Sequence, residues 1–265
     1  MRIRQIYCKT ALSPSRLPGL DYSLNPYRGC EHNCAYCYVP NVLRISRENW
    51  GEFVDIKVNI PLILSKELKR KKPGVVAIST VTDPYQHVEE KYKLTKHCLE
   101  QLLRYDFPII IQTKSHLVLR DIDLISQFSN AEVGITVTTL IDDESKILEP
   151  SASSISNRLD TVKKLNDCGI KTFIFFGPIY PTTKIENIQY ILKQFRETGT
   201  TKLIVDSLHL KRGIWKKIDS NLSSHPTTLA AFQKNLFENK DYYSIIFDEI
   251  ERQCKNYKLN FEKAF

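Results

Sequence analysis

The sequence contains no long apolar run. No stretch of about eighteen apolar residues occurs in its 265 positions, so no membrane-spanning helix is expected. The opening "MRIRQIYCKTALSPSRLPG" carries basic side chains but no continuous apolar stretch behind them. No signal peptide is expected there, and a cytoplasmic setting is. Glycine-rich phosphate loops of the Walker or Rossmann type are missing, which removes the simplest nucleotide-binding readings. No Ser-His-Asp arrangement stands out, and there is neither an internal repeat nor a low-complexity tract. Cysteine is sparse: seven in the whole chain, an odd number and too thin for a secreted disulfide scaffold.

What is present is ordinary for a globular chain. Hydrophobic residues make up 42% and charged residues 26%, enough apolar content to build a core and too much for a disordered chain. The formal net charge is +8, which keeps a polyanion such as nucleic acid among the candidate partners. That excess reads as mild and spread out, with "KELKRKK" (66–72) as its densest run. Cations suit the end of a helix, and this run fits one.

From about residue 55 onward the pattern alternates. Helical spacing covers 58–72, with Asn59 placed to cap before Pro61, then 88–105, 119–129, 155–169 and 185–199. Between them lie short apolar runs, "GVVAIST" (74–80), "FPIIIQTKS" (107–115), "AEVGITVTTL" (131–140), "IKTFIFFGPIYP" (170–181) and "TKLIVDSL" (201–208). With a first strand near "YSLNPYRG", this makes six strands alternating with helices. Such a pattern implies parallel βαβ units whose strands are covered on both faces. Six units do not close an eight-unit barrel, so an open partial barrel or a doubly wound sheet remains. Both place chemistry at the carboxyl ends of the strands. The polar segments "STVTDPYQ", "QTKSH", "TVTTLIDD" and "FGPIYP" stand at those ends, and the main cysteine group follows strand one. His87 and His116 also fall in strand-end loops. Residues 1–210 are expected to form the core with its lead-in, and 211–265 an aromatic-rich helical extension packed on it.

The cysteines divide unevenly. Cys8, Cys98, Cys168 and Cys254 are scattered, and Cys98 and Cys168, in amphipathic patterns, read as small buried hydrophobes. Cys30, Cys34 and Cys37 instead crowd into eight positions of "NPYRGCEHNCAYCYVP". In a reducing compartment such a cluster points to a metal or to catalysis. A closed structural zinc site needs four ligands, and His32 in the same loop is the nearest candidate for a fourth. An iron–sulfur cluster also normally takes four cysteines, so three would leave one iron open to an outside ligand. A metal-stabilised nucleic-acid-binding module without catalysis is the reading that competes with an enzyme.

Cys30-x3-Cys34-x2-Cys37, with Tyr36 just before the last cysteine, resembles the motif of radical S-adenosylmethionine (radical SAM) enzymes. "TDPYQ", "TKSHLVLRDIDLI" and "EPSASSISNRLDTVKKLNDCGI" follow in order and are similar to segments of its spore-photoproduct-lyase-like branch. The likeness runs from about residue 20 to 210 and leaves the tail uncovered. It implies an α/β fold, a partial (β/α)6 TIM-type barrel. It also implies a 4Fe-4S cluster on the three cysteines, S-adenosyl-L-methionine bound to the open iron, and an external electron donor. A 5′-deoxyadenosyl radical would then take hydrogen from a substrate, with nucleic acid foremost by kinship. Carried over residue by residue, Tyr36 would flank the adenine, and Thr82 and Asp83 would contact the methionyl group. Lys114 would meet the cofactor carboxylate, Thr136 or Thr138 the ribose, and Tyr38 would belong to a hydrogen relay. One position departs from the pattern. The lyases carry a cysteine three residues before the aspartate, and here Thr80 stands there, with an O–H bond too strong for easy hydrogen donation.

Overall fold

The computed structural model of the chain describes residues 1–264. Its strands in chain order begin with β1 (Arg2–Ile6), β2 (Leu12–Pro14), β3 (Tyr22–Leu24), β4 (Tyr27–Arg28) and β5 (Phe53–Lys57). They continue with β6 (Val76–Ile78), β7 (Ile109–Thr113), β8 (Ala131–Thr136), β9 (Lys171–Phe176), β10 (Lys202–Val205) and β11 (Asn260–Lys263).

β3, β6, β7, β8, β9 and β10 lie side by side in that order, every pair parallel. These are the six strands that the apolar runs predict. Ile109, Ile111, Val133, Ile135, Ile174, Phe176, Leu203 and Val205 alternate along their strands and make one fully buried face, while Ile110, Gln112, Phe175 and Ile204 between them are half-buried. The two edges do not pair with each other. β2 runs antiparallel to β3 on one side, and β11 runs parallel to β10 on the other. The architecture is therefore an α/β fold with an open, mostly parallel sheet, a partial barrel. Among the described residues no helix is long and apolar enough to cross a membrane.

A second small sheet, β1–β5–β4, lies outside the predicted pattern. Asp55 at its centre binds Arg4 of β1 and Arg28 of β4. β1 is exposed at four of its five positions and shows no alternation, so its sequence carries no strand signal.

Several expected helices differ in detail. The 88–105 pattern breaks at Lys93 (φ +51°) into Val88–Tyr92 and Leu94–Leu103. The Glu89 carboxylate accepts from the N–H groups of Thr95 and Lys96 and so caps the second helix. The 119–129 segment is a 3₁₀ turn, His116–Asp121, followed by the short helix Ile122–Ile125. Asn59 does stand at the helix start, but its side chain bonds both the N–H and the carbonyl of Cys8 instead of capping. The tail contains the helices Ile214–Leu222, Pro226–Gln233 and Tyr242–Tyr257. It is not wholly helical, because it closes on β11. Cys98 and Cys254 are buried, whereas Cys168, expected in the core, is exposed at a helix end.

Candidate active site

The cysteine loop leaves β4 through Gly29 at φ +94°, where a Cβ would lie 2.3 Å from the Phe53 carbonyl oxygen. Only glycine fits that turn. The loop is then tied down along its length. Glu31 N–H donates to Gln86 Oε1 (2.9 Å), and Val88 N–H donates to Glu31 Oε2 (2.6 Å). Ala35 N–H donates to the Leu148 carbonyl (2.8 Å), and the Arg47 guanidinium donates to the Cys37 carbonyl (2.8 Å). Cys30 and Cys34 are buried and Cys37 is half-buried; all three are free thiols.

Burial is the main reason that all three thiols titrate above their ordinary range. Cys34 is pushed up to about 12 by burial, with Glu149 and Cys37 adding to it and Lys114 opposing. Cys30 is raised by burial and then by Asp83, Cys34 and Cys37. Metal binding would take the place of the thiol protons.

Asp83, at the end of β6, is the hub beneath the loop. It accepts from Tyr85 N–H (2.9 Å), the Thr113 hydroxyl (2.6 Å) and Lys114 N–H (2.9 Å), and pairs with His32 Nδ1 at 3.3 Å. Burial alone would raise its pKa. The His32 ring, the Thr113 hydroxyl and the Lys114 amide outweigh burial and hold it well below the ordinary carboxylate range. Thr82 next to it spends its hydroxyl on the Gly29 carbonyl and accepts from Gln86 Nε2 (2.9 Å). Asn25 Oδ1 accepts from Thr80 and Val81 N–H, fixing the same turn (2.9 and 3.1 Å).

A buried polar network forms the far wall. The Tyr36 hydroxyl donates to Glu149, which also accepts from Ser145 (3.1 Å) and is paired with the fully buried Arg158. Arg158 donates onward to the Ser153 and Thr136 carbonyls (2.8 and 3.1 Å). Burial disfavours the Glu149 charge, yet Arg158 and Lys114 pull its pKa below normal. The Tyr36 ring meets Tyr180 edge-on with centroids 6.0 Å apart, and Lys114 Nζ lies 5.6 Å from the Tyr36 ring centre. Among the described residues the Lys114 ammonium makes no salt bridge. Burial works against its charge, but Cys34 and Glu149 raise its pKa above the ordinary lysine value.

The structure thus brings Cys30, Cys34, Cys37, Tyr36, Thr82, Asp83 and Lys114 to one end of the sheet. Tyr38 stands at the rim with its hydroxyl donating to the Thr80 carbonyl (3.1 Å). Thr136 and Thr138 are buried at the end of β8. Thr136 Oγ1 accepts from Gln112 (3.3 Å), while Thr138 Oγ1 has no hydrogen-bond partner. Sequence reading missed Asn25, Gln86, Glu149 and Arg158. Arg158 had left a signal: it follows Ile155 by three and precedes Val162 and Leu165 by four and seven, so it sits on the apolar face of its helix.

The donor set decides what the loop can hold. Among the described residues no three His, Cys, Asp or Glu side chains converge as the ligands of one ion do. His32, the candidate fourth zinc ligand, is paired with Asp83. Three thiols on one loop, with His32 engaged by Asp83, are one donor short of the four that a closed tetrahedral site takes.

Fold and loop together place three free thiols at the carboxyl ends of the strands of a partial barrel. The family model of the Radical SAM superfamily matches residues 24–195, and the chain belongs to that superfamily. An uncharacterized protein of Methanocaldococcus jannaschii is 36% identical over 195 residues, covering 72% of each chain. A radical SAM Nα-GlyT isomerase of Pseudomonas phage M6 is 25% identical over 183 residues, 68% of this chain and 38% of that protein. A spore photoproduct lyase complexed with dinucleoside spore photoproduct superposes with a TM-score of 0.73 at 16% identity. That match spans 99% of this chain and 82% of the lyase. The protein is accordingly a radical SAM enzyme, and membership implies S-adenosylmethionine and an iron–sulfur cluster as its cofactors.

Proposed function

We propose that Cys30, Cys34 and Cys37 hold a 4Fe-4S cluster whose remaining iron has no protein ligand and receives S-adenosylmethionine. The observation that carries this reading is three free thiols on one loop, faced by Lys114, whose ammonium makes no salt bridge among the described residues. With both cofactors bound and one electron supplied, they furnish a 5′-deoxyadenosyl radical that removes a hydrogen atom from the substrate. The chain's own residues bind and orient. Lys114 offers its ammonium to the cofactor carboxylate, since a carboxylate in a partly dry site needs a charged partner. Asp83, through the Lys114 N–H, fixes the backbone from which that side chain rises. With the cofactor bound, Thr82 and Asp83 would border the methionyl group, Tyr36 would wall the adenine, and Thr136 or Thr138 would serve the ribose.

The substrate class we favour is a nucleic acid or nucleotide. Support comes from the dinucleoside held by the structurally similar lyase and from the basic charge of this chain. Tyr38 is the hydrogen-relay candidate. Its partner at position 80 is threonine, so the reaction differs from that of the lyases. Anaerobic reconstitution with iron and sulfide, then dithionite and S-adenosylmethionine, tests the core of the proposal. We expect 5′-deoxyadenosine from the wild type and none from Cys30→Ala. Its absence from the wild type overturns the reading.

A further inference from the structure

Arg47 opens a 3₁₀ turn, Arg47–Asn49, ten residues beyond Cys37, and its side chain reaches back to the cysteine loop. Nη1 donates to the Cys37 carbonyl (2.8 Å) and Nη2 to Asn41 Oδ1 (2.6 Å). Asn41 Nδ2 in turn donates to the Arg212 carbonyl (3.1 Å), so the guanidinium joins the loop to the tail. A Cβ on Gly213 would stand 3.3 Å from Arg47 Nε, which puts the tail backbone close against the same group. The Arg47 carbonyl accepts from Trp50 N–H (3.1 Å), and Trp50 is buried in one apolar cluster with Cys30 and Val39. Both side-chain acceptors of Arg47 are neutral, and among the described residues it makes no salt bridge. Arg120 and Arg158, also withdrawn from water, each hold a carboxylate. Arg47 is half-buried, so its charge is screened less than that of a surface arginine.

We propose that Arg47 is a positioning residue with two tasks: it fixes the backbone of Cys37, and it keeps an uncompensated positive charge beside whatever that thiol ligates. The inference rests on the cluster reading above. A lysine would supply the charge but not the planar fork that serves two acceptors at once. In that reading the cofactor carboxylate meets the Lys114 ammonium, which leaves Arg47 as the cation at the loop with no anionic partner. An iron–sulfur cluster gains one negative charge on reduction, so a fixed cation nearby favours the reduced form. In the test below dithionite supplies that one electron; no bond or proton is exchanged.

Two variants separate the tasks. Arg47→Met removes fork and charge, whereas Arg47→Lys removes the fork and keeps the charge. Hydrogen exchange over 37–42 and 209–214 is read by mass spectrometry before and after reconstitution with iron and sulfide, so this readout does not need the cluster. The midpoint potential of the reconstituted proteins is read by electron paramagnetic resonance during titration with dithionite. We expect exchange in these segments to be at least tenfold faster in both variants. The reduction constant should fall at least tenfold in Arg47→Met, about 59 mV for a one-electron couple. Arg47→Lys should stay close to the wild-type potential. An unchanged potential in Arg47→Met overturns the charge task, and so does an equal fall in Arg47→Lys, which would make geometry the cause. Unchanged exchange in both variants overturns the hold on Cys37. If the wild type gives no reversible one-electron signal, the cluster reading fails and the charge task falls with it, while exchange still decides whether Arg47 holds the loop.

Discussion

At the scale of single residues, the most consequential pair is Glu149 with Arg158, because it lies wholly out of water beside Cys34. A buried ion pair contributes little net stability when intact, but removing one partner strands the other charge. Glu149→Leu should therefore cost about 3–5 kcal/mol, read as a fall in the urea midpoint. Adding Arg158→Met should restore much of that loss while leaving the Tyr36 hydroxyl without its acceptor. A single variant as stable as wild type would show that Arg158 reaches water. Legibility also differs residue by residue. The cysteines could be read because their spacing is local and unusual. Lys114 could be read because it follows an apolar strand. Glu149 could not, since its partners Tyr36, Ser145 and Arg158 meet it only through the fold.

At the scale of elements, the six parallel strands were legible because each is a continuous apolar run bounded by turn residues. Their ends were read too long. The 131–140 run stops as a strand at Thr136, and the 170–181 run stops at Phe176 before Gly177 and Pro178. Hydrophobic content continues past the strand ends there, since Val137, Ile179 and Tyr180 still pack in the interior. The small sheet was illegible for the opposite reason: β1 shows no apolar alternation, and the Arg4–Asp55 link that ties it to β5 exists only in the fold. Burial would raise the Asp55 pKa, but Arg4 and Arg28 together hold it below the ordinary value. A carboxyl with a depressed folded pKa stabilises the protein fully above its unfolded value of about 4, and that contribution fades as pH falls towards the folded value. Both arginines are largely solvated, so screening keeps each pair weak. Asp55→Asn should thus cost about 1–2 kcal/mol at pH 7, and urea denaturation should find the gap to wild type narrowing at pH 3. A gap that stays constant with pH would mean that packing, not charge, holds the sheet.

At the scale of the whole molecule, the chain after β10 is built into the wall behind the cysteines. Ile214, Ile218, Leu222 and Phe232 share one apolar cluster with Cys34, Ala35, Tyr36, Leu148 and Tyr180. Tyr180 stands between Tyr36 and Phe232, with ring centres 6.0 and 5.9 Å away. Tyr242 and Tyr243 donate to the carbonyls of Thr183 and Ile179 (2.7 and 2.9 Å), fastening the last long helix to the same segment. A sequence read strand by strand could not give this, because residues 34 and 232 join one cluster only in the folded chain. The consequence is that a tail substitution should loosen the cysteine loop. Phe232→Ala should cost about 3–5 kcal/mol, as deletion of a buried aromatic does. Phe195→Ala, in the Phe176–Phe195 pair under a different part of the sheet, should cost a similar amount. The two variants should part in the reconstituted protein: Phe232→Ala should lose iron faster in air and alter the electron paramagnetic resonance of the reduced cluster. Phe195→Ala should do neither. Equal iron loss in both would mean that the tail only adds general stability.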